Sequence, residues 1–406
     1  MKCGLLGEKL GHSYSPVIHA MLADYEYRLY EKTPAELADF IRRGEWDGLN
    51  VTIPYKKAVM PLCTELSDTA RRCGSVNTLR RLPGGGIRGE NTDADGFAFL
   101  LRSLGFSPVG KKAVIFGSGG AAATVRAVLE EKGAGQIVTV SRHGTDNYEN
   151  LARHADAQLV VNATPVGMFP HNGAAAASLA LFPRCEAAAD LIYNPARSAL
   201  LMEAEELGIP CRNGLGMLAA QAVRSCELFL RTAVPDGAAA RIERELARQM
   251  QNIVLIGMPG CGKSTVGRLL AGETGREFCA SDALVERGAS LPIPEIFRRE
   301  GEEGFRRRET AALTALGRLS GRVIDTGGGC VTRGENYPLL HQNGVIVWLK
   351  RDLDRLPKEG RPISLRSDLR ELYERRRPSY ERFADFSVSN DGTPEETVRA
   401  IRDMLK

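Results

Sequence analysis

Ile253-Val254-Leu255-Ile256-Gly257-Met258-Pro259-Gly260-Cys261-Gly262-Lys263-Ser264-Thr265 decides the reading of this chain. An apolar run of strand length enters a G-x-x-x-x-G-K-S loop, and residues able to form a helix follow. Such a loop aims the unpaired N–H groups of a helix N-terminus at phosphate and adds a lysine and a hydroxyl for a triphosphate with Mg²⁺. Further back, Ala113-Val114-Ile115-Phe116-Gly117-Ser118-Gly119-Gly120-Ala121-Ala122 repeats the strand–glycine–helix order without the lysine. That version suits a dinucleotide. One chain therefore carries two phosphate-binding units of different kinds, and two chemistries are expected of it.

Working outward, short apolar runs alternate with amphipathic stretches along the whole length, which predicts parallel α/β architecture. Strands are expected near 3–7, 26–31, 48–53 and 87–91, then near 113–117, 136–141, 158–162, 187–192 and 209–212. The stretch 215–250 reads as helical and alanine-rich, broken at Pro235-Asp236-Gly237. A new strand starts at Ile253, so the halves are expected to meet near 249–252.

Bulk properties narrow the partners. With 54 basic and 50 acidic residues among 406, the net charge of +4 is too weak to make a nucleic acid the expected partner. Nine cysteines without a C-x-x-C pair suit reduced thiols rather than a disulfide framework. The chain opens on Cys3-Gly4-Leu5-Leu6-Gly7, which reads as a strand rather than a signal peptide, and no apolar run reaches the length of a membrane span. A cytoplasmic protein with small-molecule partners and no membrane contact is expected; monomer and homo-oligomer are equally compatible with the sequence.

In the first half the loop Gly117-x-Gly119-Gly120-x-Ala122 departs from G-x-G-x-x-G at its third glycine. The next strand, Gln136-Ile137-Val138-Thr139-Val140, ends in Ser141-Arg142. At that place NAD sites carry an acid for the ribose hydroxyl, whereas NADP sites accept the 2′-phosphate with arginine. Arg142 without an acid beside it favours NADP(H). Polar clusters surround this unit: Gly11-His12-Ser13-Tyr14-Ser15-Pro16, Asn50-Val51-Thr52-Ile53-Pro54-Tyr55-Lys56, Ser75-Val76-Asn77-Thr78 and Glu90-Asn91-Thr92-Asp93. Each alone is compatible with turn and cap chemistry.

Together, and with Asn162-Ala163-Thr164-Pro165-Val166-Gly167-Met168, Asp190-Leu191-Ile192-Tyr193-Asn194-Pro195 and Gly214-Leu215-Gly216-Met217-Leu218-Ala219-Ala220-Gln221, they resemble shikimate dehydrogenase from residue 4 to about 250. The resemblance implies a substrate-binding α/β domain over 1–100, completed by the helices of 215–250, and a Rossmann-like NADP domain over 101–214. The implied reaction reduces 3-dehydroshikimate to shikimate with NADPH. Lys56 and Asp93 match the catalytic pair: a carbonyl receiving hydride needs a proton, which a lysine can give while a carboxylate orients it. Ser13, Ser15, Asn50, Thr52, Asn77, Tyr193 and Gln221 match substrate-holding positions. Gly117, Gly119, Gly120, Ala121, Arg142, Asn162, Thr164, Met168 and Gly214 match cofactor-holding ones. The family often has a second basic residue just after the arginine matching Arg142; His143-Gly144-Thr145-Asp146 offers none, so weaker NADP selectivity is expected.

The second half continues with Ser281-Asp282, Gly301-Glu302-Glu303-Gly304-Phe305-Arg306-Arg307-Arg308-Glu309, Val323-Ile324-Asp325-Thr326-Gly327-Gly328-Gly329, Gly360-Arg361-Pro362 and Arg375-Arg376-Arg377-Pro378-Ser379-Tyr380. In order and spacing this set resembles shikimate kinase over 252–406. The resemblance implies a P-loop, nucleoside-monophosphate-kinase-like α/β domain with a parallel sheet, taking ATP and Mg²⁺. Gly260, Gly262, Lys263, Ser264 and Thr265 would hold the nucleotide, with Lys263 also catalytic and Ser264 on the metal. Asp282 would take the hydroxyl proton. Arg306 and Arg376 would hold the substrate carboxylate against Gly328 and Gly329, and Arg361 would neutralise the moving phosphate. Arg307, Arg308 and Arg375 are expected on solvated helix faces.

Two departures stand out. The family usually has Asp-x-Asp ending at the position of Asp282, yet the first acid is Ala280 here. The strand before the three glycines commonly ends in a small residue, yet here it carries Asp325. P-loop enzymes hold Mg²⁺ with an acid at the end of such a strand, so Asp325 is expected to replace the missing one. Cys261, in the phosphate loop, and Cys330 read first as small filler residues, with a lowered thiol pKa as the sharper alternative. Two rival readings are a dehydrogenase joined to a nucleotide-binding module that no longer transfers phosphate, and a dehydrogenase acting on quinate.

Overall fold

A computed structural model describes residues 1–11, 13–356 and 369–405. They group into two compact units, Met1–Tyr193 with Ser198–Leu246, and Asn194–Arg197 with Ala247–Lys406. The division falls inside the helix Ala238–Met250, which has no linker of its own.

The first unit holds two sheets. Strands β1 (Lys2–Gly7), β2 (Glu26–Glu31), β3 (Gly48–Val51), β4 (Glu65–Leu66), β5 (Thr78–Arg81) and β6 (Ile87–Glu90) form one, in the order β2-β1-β3-β5-β6-β4. β1 runs parallel to both its neighbours, whereas β5 is antiparallel to β3 and to β6. The sequence reading missed β4 and β5. Thr-Leu-Arg-Arg has too little apolar alternation to announce a strand; two flanking strands supply its hydrogen bonds instead. Leu6, Leu49 and Leu79, on three neighbouring strands, are fully buried in a common core.

The other sheet is wholly parallel: β7 (Lys112–Phe116), β8 (Gln136–Val140), β9 (Leu159–Asn162), β10 (Ala187–Asp190) and β11 (Cys211–Arg212), ordered β11-β10-β9-β7-β8. Its central strands are apolar almost throughout because helices cover both faces: Ile115 and Leu159 pack into one core, Val114 and Val160 into the opposite one. The helix Asp93–Ser103 packs on Leu215–Leu230, and Gly96 sets how closely. A Cβ there would lie 2.6 Å from the Met217 carbonyl oxygen. The missing side chain lets the later helix come close enough to bring Gln221 beside Asn77.

In the second unit β12 (Asn252–Ile256), β13 (Glu277–Ala280), β14 (Arg322–Asp325), β15 (Gly344–Lys350) and β16 (Phe386–Ser389) form a parallel sheet ordered β13-β14-β12-β15-β16. β12 sits at its centre with every residue buried. Ala280 and Asp325 are register partners at the C-terminal ends of β13 and β14. The fold is therefore α/β throughout, with a mixed substrate sheet, a Rossmann-like sheet and a P-loop sheet. Among the described residues no helix is long and apolar enough to cross a membrane, and all nine cysteines are free thiols.

Candidate functional site

Polar side chains converge beside the mixed sheet of the first unit. Lys56 Nζ lies 2.6 Å from Asp93 Oδ2, with the lysine side chain 24 % exposed and the carboxylate only 6 %. Each partner is fixed by its backbone. The Lys56 carbonyl accepts from Val76 N–H, and Asp93 opens the helix Asp93–Ser103, whose positive end favours an anion. Asn77 Nδ2 donates to Thr92 Oγ1 at 3.0 Å and to Gln221 Oε1 at 3.2 Å, while Thr92 N–H donates to Asn77 Oδ1 at 2.7 Å. Asn50 joins this group through Thr78, its Nδ2 donating to Thr78 Oγ1 at 3.2 Å.

The other expected substrate-holding residues are less tightly tied. Ser13 Oγ accepts from Ser15 N–H at 3.2 Å, and Thr52 N–H donates to the Leu6 carbonyl. Tyr193 meets Tyr14 edge-on at 6.1 Å, with burial raising its phenol pKa. The sequence reading overlooked Thr78 and Thr92 as members of the network. Both stand within motifs it quoted, but only the antiparallel β5–β6 pairing turns them toward Asn77 and Asn50.

At the Rossmann-like sheet, Gly117 ends β7, and Gly119 caps the helix Gly120–Glu131, whose second residue is Ala121. Side chains at Gly119 and Gly120 would meet open space. Protein packing does not explain these glycines, and a helix N-terminus left open at its first turn fits a phosphate. Asn162 Oδ1 accepts from the Thr164 N–H and hydroxyl, and its Nδ2 donates to Asp190 at 3.0 Å. Asp190 is fully buried, and burial pushes its carboxyl up to about 6 despite donors from Ser198 and Ile192. Met168 is exposed, Arg142 is exposed beyond β8 beside Tyr148, and Gly214 N–H binds the Ile192 carbonyl as the helix Leu215–Leu230 begins.

The second unit encloses a cavity of about 620 Å³ whose lining includes Lys263, Asp282, Arg306, Glu309, Asp325 and Arg376. Gly260, Gly262, Ser264 and Thr265 line it too. The phosphate loop turns through Gly262 at φ 96°, where a Cβ would strike Asn390 Nδ2 at 2.4 Å. Asn390 holds the loop by donating to the Cys261 carbonyl at 2.6 Å, and Thr397 Oγ1 in turn donates to its Oδ1. Lys263 is buried, its ammonium donating to the carbonyls of Gly257 and Met258. Ser264 Oγ sits 2.5 Å from Asp325 Oδ2. A hydroxyl beside a carboxylate at a phosphate loop is a hard-oxygen donor set, which fits Mg²⁺ completed by phosphate oxygens and water.

Facing them, Arg306 pairs with Glu309 at 2.7 Å and Glu302 at 3.2 Å, while Arg376 donates to the Gly328 carbonyl at 3.0 Å. Both arginines leave a buried Nε without a partner, so the cavity retains donors for an anion. Burial, then the nearby Asp325, raises the Asp282 pKa, while Lys263 works against the shift. Glu309 is completely buried and was not singled out in the sequence; its place three residues after Arg306 on a helix was the available signal. A Cβ on Gly327 would lie 2.4 Å from Glu309 Oε1 and 3.0 Å from Asp282 Oδ1, which shows how closely the two carboxylates approach. Arg307 and Arg375 are exposed, and Arg308 is half-buried against Glu300. Arg361 lies outside the described residues. Cys330 fits the filler reading and not the activated one: its thiol is completely buried beside Thr326, and burial pushes it up to about 12.

These two sites, each on its own sheet system, define a nicotinamide-type oxidoreductase joined in one chain to a P-loop phosphotransferase. Residues 5–79 match the family model of the shikimate dehydrogenase substrate binding domain, and residues 259–406 match that of shikimate kinase. The shikimate dehydrogenase (NADP(+)) of Synechocystis is 36 % identical over 268 residues, covering 57 % of this chain and 91 % of that protein. That of Methanopyrus kandleri is 38 % identical over 260 residues, covering 56 % and 89 %. Among solved structures, a chorismate mutase/shikimate 5-dehydrogenase fusion from Clostridium acetobutylicum superposes with a TM-score of 0.57 at 34 % identity, covering 60 % of this chain and 96 % of that one. Quinate dehydrogenase from Corynebacterium glutamicum in complex with NAD gives 0.55 at 26 %, covering 61 % and 98 %. The chain belongs to the shikimate dehydrogenase family and carries a shikimate kinase domain behind it: it is a bifunctional enzyme of the shikimate pathway.

Proposed function

We propose that the first unit reduces 3-dehydroshikimate to shikimate with NADPH, and that the second phosphorylates the shikimate 3-hydroxyl with ATP and Mg²⁺. The observation that carries this reading is the pairing of two complete sets of groups. A lysine–carboxylate pair at 2.6 Å stands beside a group of neutral amides, and a phosphate loop shares one cavity with Asp282 and two arginines. In the first unit Gly119, Gly120 and Arg142 would hold the cofactor, which supplies the hydride when bound. Lys56 Nζ gives a proton to the substrate oxygen as negative charge builds on it, and Asp93 keeps the ammonium aimed. In the second, Gly260, Gly262, Lys263 and Thr265 would hold ATP, the source of the phosphoryl group. Asp282 accepts the proton of the attacking hydroxyl, while Arg306 and Arg376 hold the substrate carboxylate with always-charged donors. Nine free thiols suit a reducing compartment, and we place the enzyme in the cytoplasm.

Purified protein given 3-dehydroshikimate, NADPH and ATP should form shikimate 3-phosphate, with one NADPH oxidised and one ADP formed per molecule. Nucleotide binding without ADP formation from shikimate would leave the second unit a non-catalytic module. Cofactor choice tests the first unit separately. The likeness to an NAD-bound quinate dehydrogenase and the single cation after β8 favour a modest preference: NADPH is expected to exceed NADH in kcat/KM, with Arg142→Ala removing most of the difference.

Asp325 serves as the metal-holding acid in place of Ala280. Its register partner on the adjacent strand is Ala280 itself, and it already contacts the serine that should touch the metal. Asp325→Asn is expected to weaken Mn²⁺ binding to the ADP-loaded protein about 10–100-fold, read by electron paramagnetic resonance. Unchanged Mn²⁺ affinity would remove Asp325 from this role.

A further inference from the structure

Behind Asn50 lies a chain of polar aromatic side chains that the reaction above does not use. His19 is 1 % exposed and stacks on the Tyr27 ring, with centroids 4.0 Å apart and planes 12° from parallel. Its Nδ1 is 2.5 Å from the Tyr25 hydroxyl, and its ring also meets the Asn50 side chain. Burial presses its pKa down to about 3, so the ring is neutral and owns a single N–H. The Tyr27 hydroxyl donates to Asn50 Oδ1 at 2.8 Å.

From there the bonds run one way. Asn50 Nδ2 donates to Thr78 Oγ1, Thr78 Oγ1 donates to Asn77 Oδ1 at 3.2 Å, and Asn77 Nδ2 donates to Gln221 Oε1. An amide has an acceptor end and a donor end, and only its partners decide which faces where. A hydroxyl that gives its proton to Asn50 Oδ1 makes the oxygen the inward end. Asn77 is fixed separately, because the Thr92 backbone N–H can only donate and does so to Asn77 Oδ1 at 2.7 Å, which leaves Asn77 Nδ2 to occupy Gln221 Oε1.

We propose that Tyr27, seated on His19, is a positioning residue for substrate binding: its hydroxyl holds Asn50 Oδ1, so that the amide N–H₂ of Asn50 faces the acceptor oxygens of a polyhydroxylated carboxylic acid. This rests on reading the pocket as the substrate site of the dehydrogenase. Its effect passes through the Asn50 amide.

Tyr27→Phe removes the O–H and keeps the ring on His19. It is expected to raise KM for 3-dehydroshikimate about tenfold, the ratio that one net hydrogen bond represents. The dehydrogenase kcat should stay within about twofold, with KM for NADPH and the kinase rate unchanged. In an Asn50→Ala background the same change should add nothing, because the amide that Tyr27 orients is already gone. Effects on KM that multiply would make Tyr27 a general packing residue and overturn the proposal. A raised KM in Asn50→Ala with none in Tyr27→Phe would overturn the role of Tyr27 alone. An unchanged KM in Asn50→Ala would overturn the reading of the pocket and the role of Tyr27 with it. Should Tyr27→Phe fold poorly, Asn50→Asp decides. Exchanging N–H₂ for oxygen should raise KM about a hundredfold or more, whereas a residue that turned its carbonyl outward would tolerate the change, and that result would overturn the proposal.

Discussion

Lys56→Met should lower the dehydrogenase kcat by about 10²–10⁴-fold while leaving the kinase of the same chain at its full rate. Methionine keeps the length and apolar stem of lysine, so the polypeptide around residue 56 has little reason to move, and Val76 still binds its backbone. What disappears is the proton. Hydride arriving at a carbonyl leaves an alkoxide, and no other ammonium or guanidinium is paired with Asp93 among the described residues. KM for 3-dehydroshikimate should change far less than kcat, because the neutral amides and hydroxyls that surround the ring remain. Asp93→Asn should show a smaller loss, since the lysine keeps its proton but loses the partner that aims it. A Lys56→Met enzyme retaining more than about a tenth of its kcat would show that proton transfer belongs to another group. Kinase assays on the same preparation distinguish a chemical defect from a misfolded chain.

Asp282→Asn is expected to reduce the kinase rate by about 10²–10⁴-fold, with shikimate binding largely kept. The amide preserves size and still accepts a hydrogen bond, but it cannot take the hydroxyl proton. The pH dependence carries a second signature. Burial and Asp325 raise the Asp282 pKa, and the working form is the ionised one. Activity should therefore fall as pH drops through a value higher than that of an ordinary aspartate. Asp325→Asn removes the neighbouring negative charge, so the acid limb of the kinase profile should move to lower pH even as metal binding weakens. A limb that stays put in Asp325→Asn would assign it to some other group, and an Asp282→Asn enzyme of near-normal rate would exclude proton abstraction by this residue.

The parts of the molecule written in local order were readable from residues alone. Strand, glycine turn and helix follow one another within a dozen positions at both phosphate loops, and parallel strands buried on both faces announce themselves as apolar runs. The polar clusters around Lys56 and Asp93 were visible as motifs, although nothing in them revealed a contact at 2.6 Å. What escaped was set by distant pairing. β5 has no strand pattern of its own and exists because β3 and β6 flank it. Thr78, Thr92, Asn390 and Glu309 act through neighbours brought up by the fold, and Tyr27 reaches Asn50 only because β1 spaces their strands. Of the two readings open for Cys330, the filler one holds. Proximity to a glycine loop suggested an activated thiol, but the side chain turns inward, and desolvation opposes the thiolate.

Ala280 and Asp325 stand level with each other on adjoining parallel strands, about 4.8 Å apart across the sheet. A metal-binding acid at the rim of such a sheet is thus defined by its depth along the strands more than by which strand bears it. The acid can be moved from one strand to the other through a variant carrying both, without passing through a form that has none. An Ala280→Asp, Asp325→Ala double exchange would retrace that route, and the same rim offers a place to retune the metal preference of related phosphotransferases by moving charge sideways while the phosphate loop is left untouched.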